Sequence, residues 1–386
     1  MRVLHFFKTY WPDTFGGIER TIHAIAKGTQ KYGFESDVLS LSDQPEGNTK
    51  HFDGHMAYKA RLDFEFASTG FSREAFRRFR ELSAAADIIH FHFPWPLMDV
   101  VHLLSKNGKP TVVTYHSDII KQKTLLRLYR PLMYRFLGSV DRIVATSPNY
   151  VETSEVLQHF RSKVEVIPLG LDEGDYPQVD EATRECWRAR LPKRFFLFVG
   201  VLRYYKGIHV LMEAARKSGL DVVIVGDGPM RVDLEEQIAR DRLTNVHLLG
   251  ALPDRDKMAV LDLSHALVFP SHLRSEAFGL SLVEASMRGK PMISCELGTG
   301  TSYVNLDGET GLVVPPGDAA ALAEAMGQVW NDEAFADAAG AAGRDRYLRQ
   351  FTAGRMAKSY STIYQQLAIK QQTAAKGPVA ATSPML

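Results

Sequence analysis

Twice along this chain, short apolar runs alternate with longer amphipathic stretches, and that rhythm constrains the fold more than any single residue does. Strands separated by segments long enough for a helix pair in parallel, because a parallel crossover needs a dozen or more residues. In the first half Val3 to Phe7, Glu35 to Leu41, Ile88 to Phe93, Thr111 to Tyr115, Arg142 to Thr146 and Val164 to Ile167 read as strands. In the second, Phe195 to Val199, Asp221 to Val225, Val246 to Leu249, Ala266 to Phe269, Pro291 to Cys295 and Gly311 to Val314 do. Helices fall between them, such as Ile18 to Tyr32, which Gly33 closes because glycine takes up the left-handed capping conformation at little cost.

Between the two series, Pro168 to Pro177 interrupts the periodicity with glycine, proline and acidic residues, as an interdomain linker does. A chain of 386 residues also exceeds what one core organises, at roughly 150 residues per domain. The expectation is an α/β architecture of two facing, Rossmann-like doubly wound domains, 1–172 and 173–351, with a cleft between them. Ala319 to Trp330 and Ala334 to Phe351 read as helices, followed by a further helix over 352–370. The last residues, 371–386, are small, polar and proline-containing, and read as a disordered tail.

With 46 basic and 45 acidic residues the net charge is +1, so no global field attracts nucleic acid and any anion site is local. Cys186 and Cys295 lie far apart and build neither a disulfide framework nor a paired metal motif, which suits a reducing cytoplasm. Met1 to Phe7 reads as a strand rather than a secretory signal, and no run approaches the roughly 18 apolar residues of a membrane span.

In open parallel sheets ligands bind beyond the carboxyl ends of the strands, so the loops after strands carry the candidates. Trp11 to Arg20 contains Gly16 and Gly17, whose bare backbone lets a ligand approach amides at a helix start, or simply makes a tight turn. Directly after the fourth strand stands His116, able to face a crevice and bond sugar hydroxyls, or to be a structural histidine. His90 and His92 share one strand face, but no carboxylate or cysteine nearby completes a metal set. The loop Gly200 to Gly207 brings Arg203 and Lys206 to where they can grip a diphosphate, each charge-assisted bond contributing roughly 1.5 to 3 kcal/mol. Ser271 to Ala285 follows another strand and opens a helix, so Gly279 and Leu280 offer free amides and the positive end of the helix dipole. Glu276 in that loop and Glu284 about two turns further can take a transferred sugar and a ribose, unless both are solvated helix charges.

Taken together, Gly16-Gly17, His116, the Gly-x-x-Arg-x-x-Lys-Gly loop ending at Gly207 and the string from Glu276 through Ala277-Phe278-Gly279-Leu280 to Glu284 resemble the retaining GT-B glycosyltransferases of family 4. The resemblance covers nearly the whole chain, and the wording of Leu202 to Gly207 is similar to bacterial mannosyltransferases of lipopolysaccharide and O-polysaccharide assembly. It implies that the second domain holds a nucleotide sugar, that the first holds the acceptor, and that the last helix crosses back. Arg203 and Lys206 would then neutralise the diphosphate, and the segment Phe278, Gly279 and Leu280 would offer it amides. Glu276 would bind the donor sugar and Glu284 the ribose, while His116 faces the reacting sugar and Gly16 and Gly17 close from the opposite domain. Base contacts would run through backbone near Gly226 and Leu252. One position departs from the family: where an arginine usually follows the glycine of the basic loop, this chain has Val201, with Arg203 two residues on.

The resemblance implies retention of anomeric configuration, with no metal and no cofactor beyond the donor. The basic pair and helix dipole stabilise the leaving diphosphate, and the donor phosphate takes the acceptor proton. The donor implied is GDP-mannose, with UDP-hexoses open, and the acceptor a saccharide carried on polyprenyl diphosphate. Asp254-Arg255-Asp256 looks like a metal-binding Asp-x-Asp but sits between Pro253 and a helix, and reads as an N-terminal cap. Lys121 to Arg135 and Arg73 to Arg80 mix basic and apolar residues as a membrane-surface helix does, and as ordinary amphipathic helices also do. Peripheral membrane contact would suit a lipid-linked acceptor. The rival readings are an NAD-dependent oxidoreductase, a sugar-nucleotide epimerase of the same architecture and a non-catalytic sugar-nucleotide-binding module. The first rests on Gly226-Asp227-Gly228, where Arg231 replaces the third fingerprint glycine.

Overall fold

β1 (Arg2–Phe6) is buried at every position but its first, as a strand covered by helices on both faces must be. In the computed structural model, which describes residues 1–66, 69–105, 107–119 and 123–376, it lies inside the first of two parallel sheets. The first half continues with β2 (Glu35–Ser42), β3 (Lys50–Phe52), β4 (His55–Arg61), the hairpin β5 (Phe64–Phe66) and β6 (Thr69–Phe71), then β7 (Ile88–Phe93), β8 (Thr111–Tyr115), β9 (Arg142–Ala145) and β10 (Val164–Val166). Its main sheet runs in the order β10-β9-β8-β7-β1-β2-β4-β3, parallel except where β3 returns against β4. The second half comprises β11 (Phe196–Val199), β12 (Val222–Val225), β13 (Val246–Gly250), β14 (Ala266–Phe269), β15 (Met292–Cys295) and β16 (Gly311–Val314). These form a sheet in the order β13-β12-β11-β14-β15-β16, parallel throughout.

Each sheet therefore reverses its winding beside its first strand, between β1 and β7 and between β11 and β14. Such switch points open a crevice at the carboxyl ends, which is where the candidate loops emerge. The two Rossmann-like halves and the alternating strands stand as the sequence periodicity implied. β3 to β6 did not register in that periodicity. β4 carries Lys59, completely buried, which the Asp13 carboxylate neutralises at 2.7 Å.

Outgoing and returning chains lie side by side at the linker: the Leu171 amide donates to Phe351 and the Ala353 amide to Leu171, both at 2.9 Å. The helix Ala353–Lys376 then packs on the helix Gly17–Thr29 of the first half, so closely that a Cβ on Gly28 would stand 2.6 Å from that of Ala357. This last helix continues beyond 370, and the rest of the expected tail lies outside the described residues. The basic stretch that begins at Lys121 forms a helix over Lys123–Ser139, with Lys121 and Gln122 outside the described residues. In the helix Glu74–Ala85, Arg77 and Arg78 pair with Glu74, and Arg77 also with Glu81, so this basic group is largely self-neutralised. Among the described residues no helix is long and apolar enough to cross a membrane.

Candidate active site

The loop after β11 turns through a short 3-10 segment, Tyr204–Lys206, into the helix Ile208–Ser218. The turn requires glycine at 207, where φ is 69° and a Cβ would lie 2.0 Å from the Pro270 carbonyl oxygen. This close approach seats Lys206 against the loop after β14, and its Nζ meets Glu276 Oε2 at 2.5 Å. Ser271 Oγ donates to the same carboxylate oxygen at 3.2 Å. Both charged side chains are about nine-tenths enclosed, with 12% and 11% exposure. Burial weakens the hold of the Lys206 ammonium on its proton, but the neighbouring Glu276 carboxylate more than offsets this, and its pKa lies above the ordinary lysine value.

Gly279 caps the helix Leu280–Met287 with φ of 90°, leaving no side chain over the first amides. Leu280 reaches toward the first half, where a Cβ on Gly17 would stand 3.4 Å from its Cδ1. Gly16 is the N-cap of the helix Gly17–Thr29 and makes no side-chain cap bond. Glu19 in that helix accepts from Thr9 at 2.7 Å and Thr14 at 2.8 Å, which ties the glycine loop down. Phe278 is buried, its ring against Phe351 at 6.0 Å, so toward a ligand it offers backbone rather than a side chain.

Glu284 sits one side of this cleft, accepting from Lys257 at 2.7 Å and from the Tyr176 hydroxyl at 2.8 Å. Asp254 joins the same network, 3.0 Å from Lys257 and 2.7 Å from Arg20 of the first half. This corrects the cap reading of Asp254: the N-cap of that helix is Pro253, with no side-chain cap bond, and Asp254 instead spans the two halves. Asp256 accepts from the Trp187 indole at 2.7 Å. Neither Lys257 nor Arg20 stood out in the sequence, since each is meaningful only beside residues brought from elsewhere.

Gly226 has φ of 144°, and a Cβ there would lie 1.9 Å from the Gly200 carbonyl oxygen, so the loops after β11 and β12 touch through bare backbone. Leu252 is half-buried at the end of the neighbouring strand. Val201 is half-exposed and Arg203 exposed. The positive charge of Arg203 bears on Lys206 and also on Lys8, beyond the end of β1, so three cations from the two halves converge.

His116 is nearly buried at the end of β8, its amide donating to the Phe93 carbonyl at 3.0 Å. Burial holds its imidazole neutral, pushing the pKa down to about 3. Behind it lie His92 and, from β1, His5, which also comes beside His90. The sequence reading found no third ligand for a metal at His90 and His92; the fold supplies one in His5, the three ligand atoms lying within 4.8 Å of one another. A cavity of about 440 Å³ opens beyond the end of β8, lined by Tyr115, Asp118, Arg127, Arg130 and Met133 of the first half and by Arg274 of the second. Arg274 closes one wall by pairing with Asp118 at 3.4 Å.

The family model for glycosyl transferases group 1 matches residues 179–346, and that for Glycosyltransferase Family 4 matches residues 15–174. The chain is 55% identical to the D-rhamnosyltransferase WbpZ of Pseudomonas aeruginosa, over 92% of its own length and 93% of that protein. It is 47% identical to the O-antigen chain mannosyltransferase C of Escherichia coli, over 95% and 99% of the two chains. Among solved structures, sucrose-phosphate synthase of Thermosynechococcus elongatus superposes with a TM-score of 0.79 at 23% identity, over 96% of this chain and 99% of that one. Anabaena Alr3699/HepE in complex with UDP superposes with a TM-score of 0.76 at 18% identity, over 95% and 100%. At those identities the likeness concerns the fold, which is GT-B.

Proposed function

Because the chain belongs to the family 4 glycosyltransferases, we propose that it moves a hexosyl group from a nucleotide-sugar donor held by the second half to a saccharide acceptor held by the first. The observation that carries this reading is the enclosed Lys206–Glu276 pair at the foot of the helix that Gly279 opens. A diphosphate entering there repels the carboxylate and attracts the ammonium, so it takes Lys206 with the amides of Gly279 and Leu280. Glu276 is thereby turned to the sugar hydroxyls, and Glu284 to the ribose. The ligand re-pairs each charge that it separates, which avoids the cost of leaving a buried charge alone.

In this mechanism the C1–oxygen bond to the diphosphate breaks while Lys206, Arg203 and the helix N-terminus stabilise the negative charge that develops. The acceptor oxygen bonds to C1 on the face that the diphosphate leaves, and its proton passes to a donor phosphate oxygen, so configuration is retained. Cationic side chains and amides supply the charge that a divalent ion would otherwise supply. The catalysis proposed is therefore independent of metal, and it needs no cofactor besides the donor.

The rhamnosyltransferase and mannosyltransferase relatives support a donor sugar of manno configuration, since D-rhamnose is 6-deoxymannose. GDP-mannose and its 6-deoxy counterpart are the donors we infer, and an O-antigen saccharide carried on polyprenyl diphosphate the acceptor. The cavity beyond the end of β8 combines arginines with Met133 and Leu126, a mixture suited to sugar, phosphate and the first carbons of a lipid. Leu125 and Leu128 project from the same helix at 42% and 76% exposure, and favour a peripheral position on the cytoplasmic face of the membrane.

Purified protein given GDP-mannose, GDP-6-deoxymannose, UDP-glucose or UDP-N-acetylglucosamine, with EDTA and a lipid-linked saccharide, is expected to release nucleotide from the two GDP donors only. Lys206→Ala and Glu276→Ala are each expected to lose about 100-fold or more in turnover while the protein stays folded. Equal turnover of UDP sugars, or wild-type activity that vanishes with the chelator, overturns the corresponding part of the reading.

A further inference from the structure

Two imidazoles stand in line behind His116. Its Nε2 lies 3.0 Å from His92 Nδ1, and His92 Nε2 lies 3.1 Å from His5 Nδ1. His92 and His5 are fully buried, on the adjacent strands β7 and β1. The row ends inside the protein at His5 Nε2, which is enclosed and has no hydrogen-bond partner. At its outer end stands His116, directly after β8 and 6% exposed. A divalent ion between His5, His90 and His92 is a poorer account of this cluster. His90 already bonds the Tyr364 hydroxyl and Thr114 Oγ1, each at 2.7 Å, and both nitrogens of His92 already meet neighbouring imidazoles.

Burial holds all three rings of the row neutral. A neutral imidazole has one N–H and one lone pair, so the three cannot choose independently. If His92 donates from Nδ1, His116 must accept at Nε2 and carry its own proton on Nδ1, while His92 Nε2 accepts from His5 Nδ1. If His92 donates from Nε2, every assignment reverses. Any mixture sets two protons or two lone pairs face to face, at roughly 1 to 3 kcal/mol for each bond left unmade.

We propose that His5 and His92 are positioning residues that fix the tautomer of His116, all three rings carrying their proton on the same named nitrogen. The remaining nitrogen of His116, Nδ1, is then a donor when the row carries its protons on Nδ1 and an acceptor when it carries them on Nε2, never independently of His92 and His5. This rests on the reading that His116 faces the reacting sugar; a hydroxyl held there is oriented by that role, and the wrong tautomer turns the bond into a repulsion.

Nitrogen NMR of protein labelled at histidine reads the tautomers directly in the wild type at neutral pH. One shared tautomer for His5, His92 and His116 is expected, and unlike tautomers overturn the proposal. In kinetics, His92→Phe is expected to lower kcat at least about tenfold, the low end for partners that orient a functional imidazole, with donor KM within about twofold. His92→Asn, whose amide stands where Nδ1 stands, is expected to recover most of that loss. An unchanged kcat in folded His92→Phe overturns the proposal. The NMR result needs no turnover, so it separates this idea from its premise: full activity in His116→Ala would sink the role of His116 and leave the coupled row standing.

Discussion

Gly207 and Gly219 have the same backbone conformation, with φ of 69° at each, but very different surroundings. A Cβ on Gly219 meets nothing within 4 Å, whereas one on Gly207 meets the Pro270 carbonyl oxygen at 2.0 Å. Alanine at either position carries the left-handed penalty of roughly 1 to 2 kcal/mol. Only Gly207→Ala must also push the loop after β11 off the loop after β14, and Lys206 moves with it. Both variants are therefore expected to unfold at lower temperature, Gly207→Ala by the larger margin. Donor KM is expected to rise several-fold in Gly207→Ala alone. Equal KM values in the two would mean that the contact does not seat the lysine. Much of this candidate site was legible in the sequence, because Gly207, Lys206, Glu276 and Gly279 lie in short strings that together resemble the family 4 glycosyltransferases. Arg20, Lys257 and His5 were not, because each acquires its meaning from a partner far along the chain: Arg20 from Asp254, Lys257 from Glu284, and His5 from His92.

Between elements, the same contrast separates what periodicity reveals from what it hides. The strands that stack between helices are runs of apolar residues and declare themselves, as Phe196–Val199 and Val222–Val225 do, with every position buried. β4 is legible only after folding. Its Lys59 runs against the apolar pattern and is tolerated because Asp13, the Tyr10 carbonyl and Ser40 receive its ammonium beneath the glycine loop. Lys59→Ala leaves Asp13 without that partner. It is expected to cost about 3 kcal/mol, read from urea unfolding, and to loosen the loop that carries Gly16 and Gly17. The contact from Arg20 to Asp254 joins the helix Gly17–Thr29 to the second half, and Lys257 continues it to Glu284. A half-exposed ion pair of this kind contributes about 1 kcal/mol or less to stability. Arg20→Ala is accordingly expected to leave the melting temperature within a few degrees while raising donor KM, since on the proposed reading Glu284 meets the ribose and this ion pair joins the two halves beside it. A large fall in stability with unchanged KM would assign Arg20 to the core instead.

Across the whole molecule, the first half is held together around a row of neutral histidines, and acid should find it. Burial lowers the pKa of His5 to about 3, with the nearby His55 adding to the effect, and burial lowers His116 to about 3 as well. In the unfolded chain each titrates near 6.5. Between those limits the unfolded state binds protons that the folded state refuses, so stability falls as pH falls from about 6.5 toward 3, and is flat above. One unit below 6.5, each such ring contributes about 1.4 kcal/mol of lost stability. Asp99 acts in the opposite sense: burial raises its pKa well above the ordinary carboxylate value, so the folded state keeps a proton that the unfolded state releases. It cancels the slope of one histidine, while His90, His92, His55 and His102 are all lowered as well, so the net sign remains that of the imidazoles. Urea midpoints measured from pH 7.5 to 5 should therefore decline, in a window above the range where paired carboxylates such as Asp13 and Asp254 titrate. His5→Asn keeps a polar atom toward His92 but has nothing to protonate, so its decline should be shallower by the share of one ring. Parallel curves for the two proteins would show that His5 takes up no proton on unfolding, and that the row is not neutral for the reason given.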